Sequence, residues 1–325
     1  GTVQGAIDAS IDGDEIIVQP GDYGNIQFKG KNIVLRSTDP DDEEIVDSTI
    51  LNAAMRTRTV VFSGSETEDC QLRGFTITGG ASSSGGGIYG AGTLATIASN
   101  KITSNVIILN PIADQNYGAG ILDCDGEIRE NLVAGNNGVS GGGIADCDGL
   151  IINNVIENNT APDGGVGLLN CSGTIRGNIV RGNSSLRGVG AAGWNCDGLI
   201  ENNLFLENST RSNGSGLVGC DGTIRNNLFI KNSALGSGAA ISQGSGSLYN
   251  NTFWGNSARN TGAAIFVYGG EVSNCIFWGN TGGATLTSVS SVTYSLIEGG
   301  HDGTANIDED PQFIDPENGD FRLQV

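Results

Sequence analysis

Along most of this chain, apolar residues come in short runs separated by Gly, Asn, Asp and Ser, and the runs fall into three columns. One column holds Ile97, Ile128, Ile151, Ile175, Ile200, Ile224, Leu248 and Val272. A second holds Ile102, Val133, Ile156, Val180, Phe205, Phe229, Phe253 and Phe277. A third holds Ile88, Ile121, Ile144, Leu168, Leu217, Ile241 and Ile265. No 3.6-residue periodicity accompanies them, and runs this short are strands rather than helices. Residues 141–159 (GGGIADCDGLIINNVIENN) show one whole unit: strand, Cys-Asp-Gly turn, strand, Asn-Asn turn, strand.

Polar columns repeat in step. Asn131, Asn154, Asn178, Asn203, Asn227 and Asn251 recur at steps of 23, 24, 25, 24 and 24. Five residues after each stands another Asn: Asn136, Asn159, Asn183, Asn208, Asn232 and Asn256. Seven residues before the first five stand Cys124, Cys147, Cys171, Cys196 and Cys220. A fixed period in this range marks a solenoid, whose units cannot bury their own apolar face and must stack. Each strand then pairs in parallel with its counterpart about 4.8 Å away. The pattern predicts a three-faced, all-β parallel β-helix of about ten coils, with Asn side chains hydrogen-bonded coil to coil inside the turns. Phe75, Asn100 and Cys275 sit in the first Asn column and extend it. The 31-residue step from Asn100 to Asn131 implies an inserted loop around residues 107–117.

One domain spans residues 1–325: an N-terminal cap over 1–13, coils over 14–300 and an irregular C-terminal cap over 301–325. Residues 2–10 read as a short amphipathic helix across the first coil, with Val3, Ile7 and Ile11 facing inward. Pro311 and Pro316 break the period at the far end, where a cover is expected over the exposed strand edges.

The segments VQGAIDASIDGDEIIVQPGDY and GKNIVLRSTDP, the repeated GGGI and NN units, and the closing DPQFIDPENGDFRLQ resemble the pectate-lyase-like right-handed β-helix superfamily. The likeness is strongest to secreted and cell-surface bacterial β-helix repeat proteins. It covers nearly the whole chain. It implies right-handed winding and an extracellular or cell-surface location. It implies little about reaction, because that superfamily mixes lyases, hydrolases, adhesins and structural proteins.

Charge narrows the partners. The net charge of −20, from 36 acidic and 16 basic residues, argues against nucleic acid and anionic membranes. No apolar stretch is long enough to span a bilayer. Arg129, Arg176 and Arg225 fall in one outward column, interleaved with Ile152 and Glu201, a spacing that suits surface ion pairs better than proton abstraction. His301 is the single histidine and lies in the polar tail.

Two candidate sites remain. Asp123 and Asp125 flank Cys124, and Asp146 and Asp148 flank Cys147 one coil later. If the strand stays extended through the cysteine, four carboxylates crowd one patch that calcium would relieve. The alternative is that Asp-Gly only makes the turn. Trp254 and Trp278, 24 residues apart, should lie outward on neighbouring coils, where they could stack on sugar rings. Leu204, Leu206, Leu228, Ile230 and Ile276 add an outward apolar stripe of the kind that marks association. The cysteines read as a ladder of buried free thiols or as one or two strained disulfides.

Two functions are open: a non-catalytic extracellular structural or surface protein, self-associating as a filament or adhesive subunit, or a calcium-dependent, polysaccharide-lyase-like carbohydrate-active enzyme or glycan-binding domain. The sparse inventory of bases favours the first.

Overall fold

A computed structural model describes residues 1–109 and 117–324. The inserted loop expected around 107–117 therefore lies largely outside the described residues. The chain winds as a right-handed parallel β-helix. A 12-stranded parallel sheet forms one face, and a 21-stranded sheet forms the other two. Successive coils keep strict register, as in Leu204↔Leu228, Phe205↔Phe229 and Leu206↔Ile230. A short fourth column, absent from the sequence reading, follows the second Asn ladder: Ser184–Ser185, Ser209–Thr210, Ser233–Ala234 and Ser257–Ala258.

The three apolar columns fill the bore. Their members are buried almost without exception, and Phe205, Phe229, Phe253 and Phe277 stack with centroids 4.8, 4.9 and 4.6 Å apart. Like side chains meet like because parallel register places each residue directly above its equivalent.

Both Asn ladders form as expected and reach further. Asn203 shows the pattern: its Nδ2 donates to Ile175 O at 2.9 Å and to Asn227 Oδ1 at 3.0 Å, while its Oδ1 accepts Asn178 N–H at 2.9 Å and Asn178 Nδ2 at 3.1 Å. Each amide thus satisfies two donors and one acceptor, plus a backbone N–H inside the wall. The second ladder gains Asn105 at its start and Asn280 at its end. The first is interrupted by Cys275, whose N–H donates to Ser295 Oγ at 3.1 Å, and resumes when Ser295 N–H donates to Asn306 Oδ1 at 3.1 Å. The last coil is closed by Ile307, which bridges Leu296.

Two small helices flank the coils. The first, α1 (Val3–Ala9), starts at the Thr2 cap and buries Val3 and Ile7 against the first coil. Ile11, expected inward, is 71% exposed, because the helix ends at Ser10 and the chain turns away. The second, α2 (Glu43–Ser48), was not foreseen. Asp42 caps it, accepting the N–H groups of Glu44 and Ile45, and Glu43 and Glu44 fill its first turn. Both placements suit the positive end of a helix.

The C-terminal segment does not simply plug the end. Phe313–Asp315 and Asp320–Leu323 form an antiparallel hairpin that folds back along the rod. Phe321 meets Trp254 edge-on at 5.6 Å, and Lys231 Nζ pairs with Glu317 at 2.8 Å.

Replacing Asn203 by Ala strands the Asn178 N–H in a dry wall and breaks the amide ladder there. The unfolding free energy should fall by about 3 kcal/mol, measured by chemical denaturation against the outward control Ser209→Ala.

Candidate functional site

The Asp pairs sit where the chain leaves the first face. The strand does not stay extended there. Asp123 and Asp146 occupy the left-handed region, with φ of 59° and 49°, as do Asn170, Asn195 and Gln243 in later coils. The backbone therefore kinks between the two Asp columns, and the extended strand expected through the cysteine is not what forms. In the inner column, Asp146 Oδ1 accepts Asn170 Nδ2 at 2.9 Å. In the outer column, Asp125 Oδ1 accepts Asp148 N–H at 2.9 Å, Asp148 Oδ1 accepts Ser172 N–H at 2.8 Å, and Asp221 Oδ1 accepts Ser245 N–H at 2.7 Å. The outer carboxylates thus bond the backbone of the next coil rather than their own.

The glycine after each outer Asp is required by space. A Cβ on Gly149 would sit 2.2 Å from Asp125 O, and one on Gly198 would sit 1.9 Å from Gly173 O. Burial, followed by the charges of Asp125, Asp146 and Asp148, pushes the Asp123 carboxyl above its usual range. Among the described residues, no group of three or more His, Cys, Asp or Glu is placed to hold a metal ion.

The cysteines are seven free, buried thiols. They act as corner mortar: Cys124 N–H donates to Cys147 Sγ at 3.3 Å, and Cys147 Sγ donates to Ala145 O at 3.1 Å. Their column continues as Gly244 and then Tyr268, whose fully buried ring occupies the space a Gly244 side chain would need. Burial pushes the Cys70 and Cys275 thiols up to about 12, and holds Cys147 well above its ordinary value.

The arginine column is real and its charges are paired. Arg129, Ile152, Arg176, Glu201 and Arg225 lie in register across successive coils. Glu201, nearly buried, receives Arg225 at 2.7 Å and Arg176 at 3.7 Å. Arg129 pairs with Glu127 at 3.2 Å and also with Glu130.

The sequence reading missed a cleft of about 680 Å³ beneath α2, lined by Arg73, Lys101 and Arg129 and by Asp41, Asp47 and Glu130. Lys101 pairs with Asp47 at 2.7 Å, whereas Arg73 reaches Asp41 only at 3.9 Å, and its buried Nε has no hydrogen-bond partner. The signal was present in Pro40 followed by Asp41, Asp42, Glu43 and Glu44, a helix-start pattern that breaks the coil period.

Trp254 and Trp278 do lie on one outward face in direct register, both half-buried. Phe321 covers Trp254, and Lys231 Nζ lies 5.0 Å from its ring centre. The hairpin also shields part of the apolar stripe: it forms a cleft of about 370 Å³ with Leu204, Leu206, Leu228 and Ile230, and Ile230 is buried. The outward apolar surface expected for association is thus partly used within the chain.

A family model described as right handed beta helix region matches residues 86–270. The chain belongs to that family. No curated protein and no solved structure matches it. Membership of the β-helix family assigns architecture and leaves chemistry open. No helix among the described residues is long and apolar enough to cross a membrane.

Three outcomes follow for this β-helix. Native protein at pH 8 should leave its seven thiols unmodified by a thiol reagent, with all reacting once denatured. For Cys70 and Cys275 the folded pKa of about 12 exceeds the ordinary 9.0, so their stabilising contribution is intact below pH 9 and is lost between pH 9 and 12. Alkaline titration of the unfolding midpoint checks that sign. Separately, Phe321→Ala should uncover Trp254, red-shifting emission and increasing acrylamide quenching.

Proposed function

We propose that this protein is a non-catalytic extracellular structural or surface protein, a rigid rod that presents a regular exterior to further copies of itself or to extracellular glycan. The observation that carries this reading is the pair of amide ladders, which tie successive coils together from Asn100 to Asn251 and from Asn105 to Asn280. Side chains with chemical potential are drawn into the same task. Arg129, Arg176 and Arg225 are matched by carboxylates, and the outer Asp column caps backbone N–H groups. The sealed thiols suit an oxidising compartment, since buried and protonated sulfur is a poor nucleophile. Trp278 is the surface aromatic that supports glycan contact.

A calcium-dependent carbohydrate-active enzyme or glycan-binding domain is the second reading. It draws on the crowding of Asp123 with Asp125, Asp146 and Asp148, which a divalent cation would relieve.

One assay separates the two. Incubation with a panel of neutral and acidic polysaccharides, with and without calcium, should release no unsaturated or reducing product. Calcium-dependent product, lost in Asp123→Asn, would overturn the structural reading.

A further inference from the structure

The two ends of the rod are closed differently. At the first coil, α1 lies across the strand edges, and Gln4 substitutes for a neighbouring strand. Its Nε2 donates to Gln27 O at 3.1 Å and its Oε1 accepts Gln27 N–H at 2.7 Å. Lys31 Nζ then donates to the carbonyls of Ile7, Asp8 and Ser10 at 2.6, 2.8 and 2.7 Å, and Lys29 pairs with Asp8 at 2.7 Å. The first-coil strands Glu15–Val18, Gly21–Tyr23 and Ile26–Gln27 each pair with a strand on one side only. Of these, α1 packs on the first and third, Gln4 occupies Gln27, and Glu15 and Asp22 put charge on the first two.

Among the described residues, the other end has no such helix. The strand Leu286–Thr293 pairs on one side with Ile265–Ser273, and no second strand joins it. The last rung reaches only its end, where Asn306 Nδ2 donates to Val292 O at 3.0 Å. Among the described residues, no side chain bonds the backbone of residues 286–291. Ser290 Oγ points back to Tyr268 O at 3.4 Å, and Thr287 Oγ1 meets Thr261 Oγ1 at 2.7 Å. Ser288, Ser290 and Ser291 are exposed.

The usual guards of an edge strand are Lys, Pro or an inward charge. None is present. No charged residue occurs between Glu271 and Glu298, in a chain of net charge −20. That uncharged edge is where two such chains can approach with least repulsion.

We propose that Leu286–Thr293 is a self-recognition edge that pairs antiparallel with the same strand of a second copy, giving a tail-to-tail rod of doubled length. This rests on the structural, self-associating reading above and names its contact. At its α1 end a second copy offers strand edges that carry charge at Glu15 and Asp22 or lie under α1, so the uncharged edge it presents is its own Leu286–Thr293. Pairing a strand with itself about a two-fold axis is isologous and closes after two subunits. Head-to-tail stacking, which would build the filament expected from the sequence, would set this edge against α1 and against strands charged at Glu15 and Asp22, and is the less favourable contact. The left-handed turn at Ser288 (φ 55°) divides the edge, so the contact is short and reversible. Each copy carries the same net charge, so salt should strengthen association.

Sedimentation velocity over a concentration series, with particle lengths from negative-stain images, tests this. The wild type should pass from monomer to dimer, the dimer twice as long, and more so at higher ionic strength. S288E/S291E should weaken the dimer about tenfold by setting like charges opposite each other. The lateral control S209E/S233E should not. Hydrogen exchange on the wild type gives a second readout that needs no variant: amides within 286–291 should gain protection as concentration rises. A monomer at every concentration, a dimer indifferent to S288E/S291E, side-by-side pairs or open filaments would each overturn the edge contact. Product release from polysaccharides would overturn the structural reading and leave the edge contact standing.

Discussion

Every coil of this rod must turn sharply with its backbone buried, and the amide ladder is what makes that turn tolerable. A buried N–H or carbonyl without a partner costs about 1–3 kcal/mol, and each turn would bury several. Asn resolves this because one short side chain carries both a donor pair and an acceptor. Stacked at a coil-to-coil spacing, each Asn answers its neighbour and the wall behind it, as Asn178, Asn203 and Asn227 do. The strands can then stay short, since the turns are themselves continuous structure along the axis.

The same principle extends outward in weaker forms. The outer Asp column repeats it with carboxylates and backbone N–H groups, and the cysteines repeat it with sulfur. Where the Cys-Asp-Gly turn is missing, near Gly269 and Gly270, the first two faces run together as the single strand Ile265–Ser273. The rod is therefore less faceted at its C-terminal end, and that is also where an edge strand is left open.

Departures from the period carry the rest. The insertion of α2 leaves an overhang, and beneath it Arg73, Lys101 and Arg129 share a cleft with Asp41, Asp47 and Glu130. The C-terminal hairpin covers Trp254 and part of the apolar stripe, so a surface that reads as sticky in the sequence is partly an internal contact.

The sequence by itself determined the all-β solenoid, the inward columns, both amide ladders and the outward arginine column, because a repeat aligns chemically equivalent positions and parallel stacking turns that alignment into contact. It also located the Asp pairs and the two tryptophans. Tertiary structure decided how those groups stand. The left-handed backbone at Asp123 and Asp146, which no pattern of residue types specified, put a kink between the two Asp columns. Asn306 joined a ladder despite lying out of period, because the intervening coil is short. The fold-back of Phe321 onto Trp254, and the hold of Gln4 on Gln27 at the first coil, are contacts between segments far apart in the chain or outside the repeat. Local periodicity carries no information about such pairings, which depend on where the finished coils bring the ends.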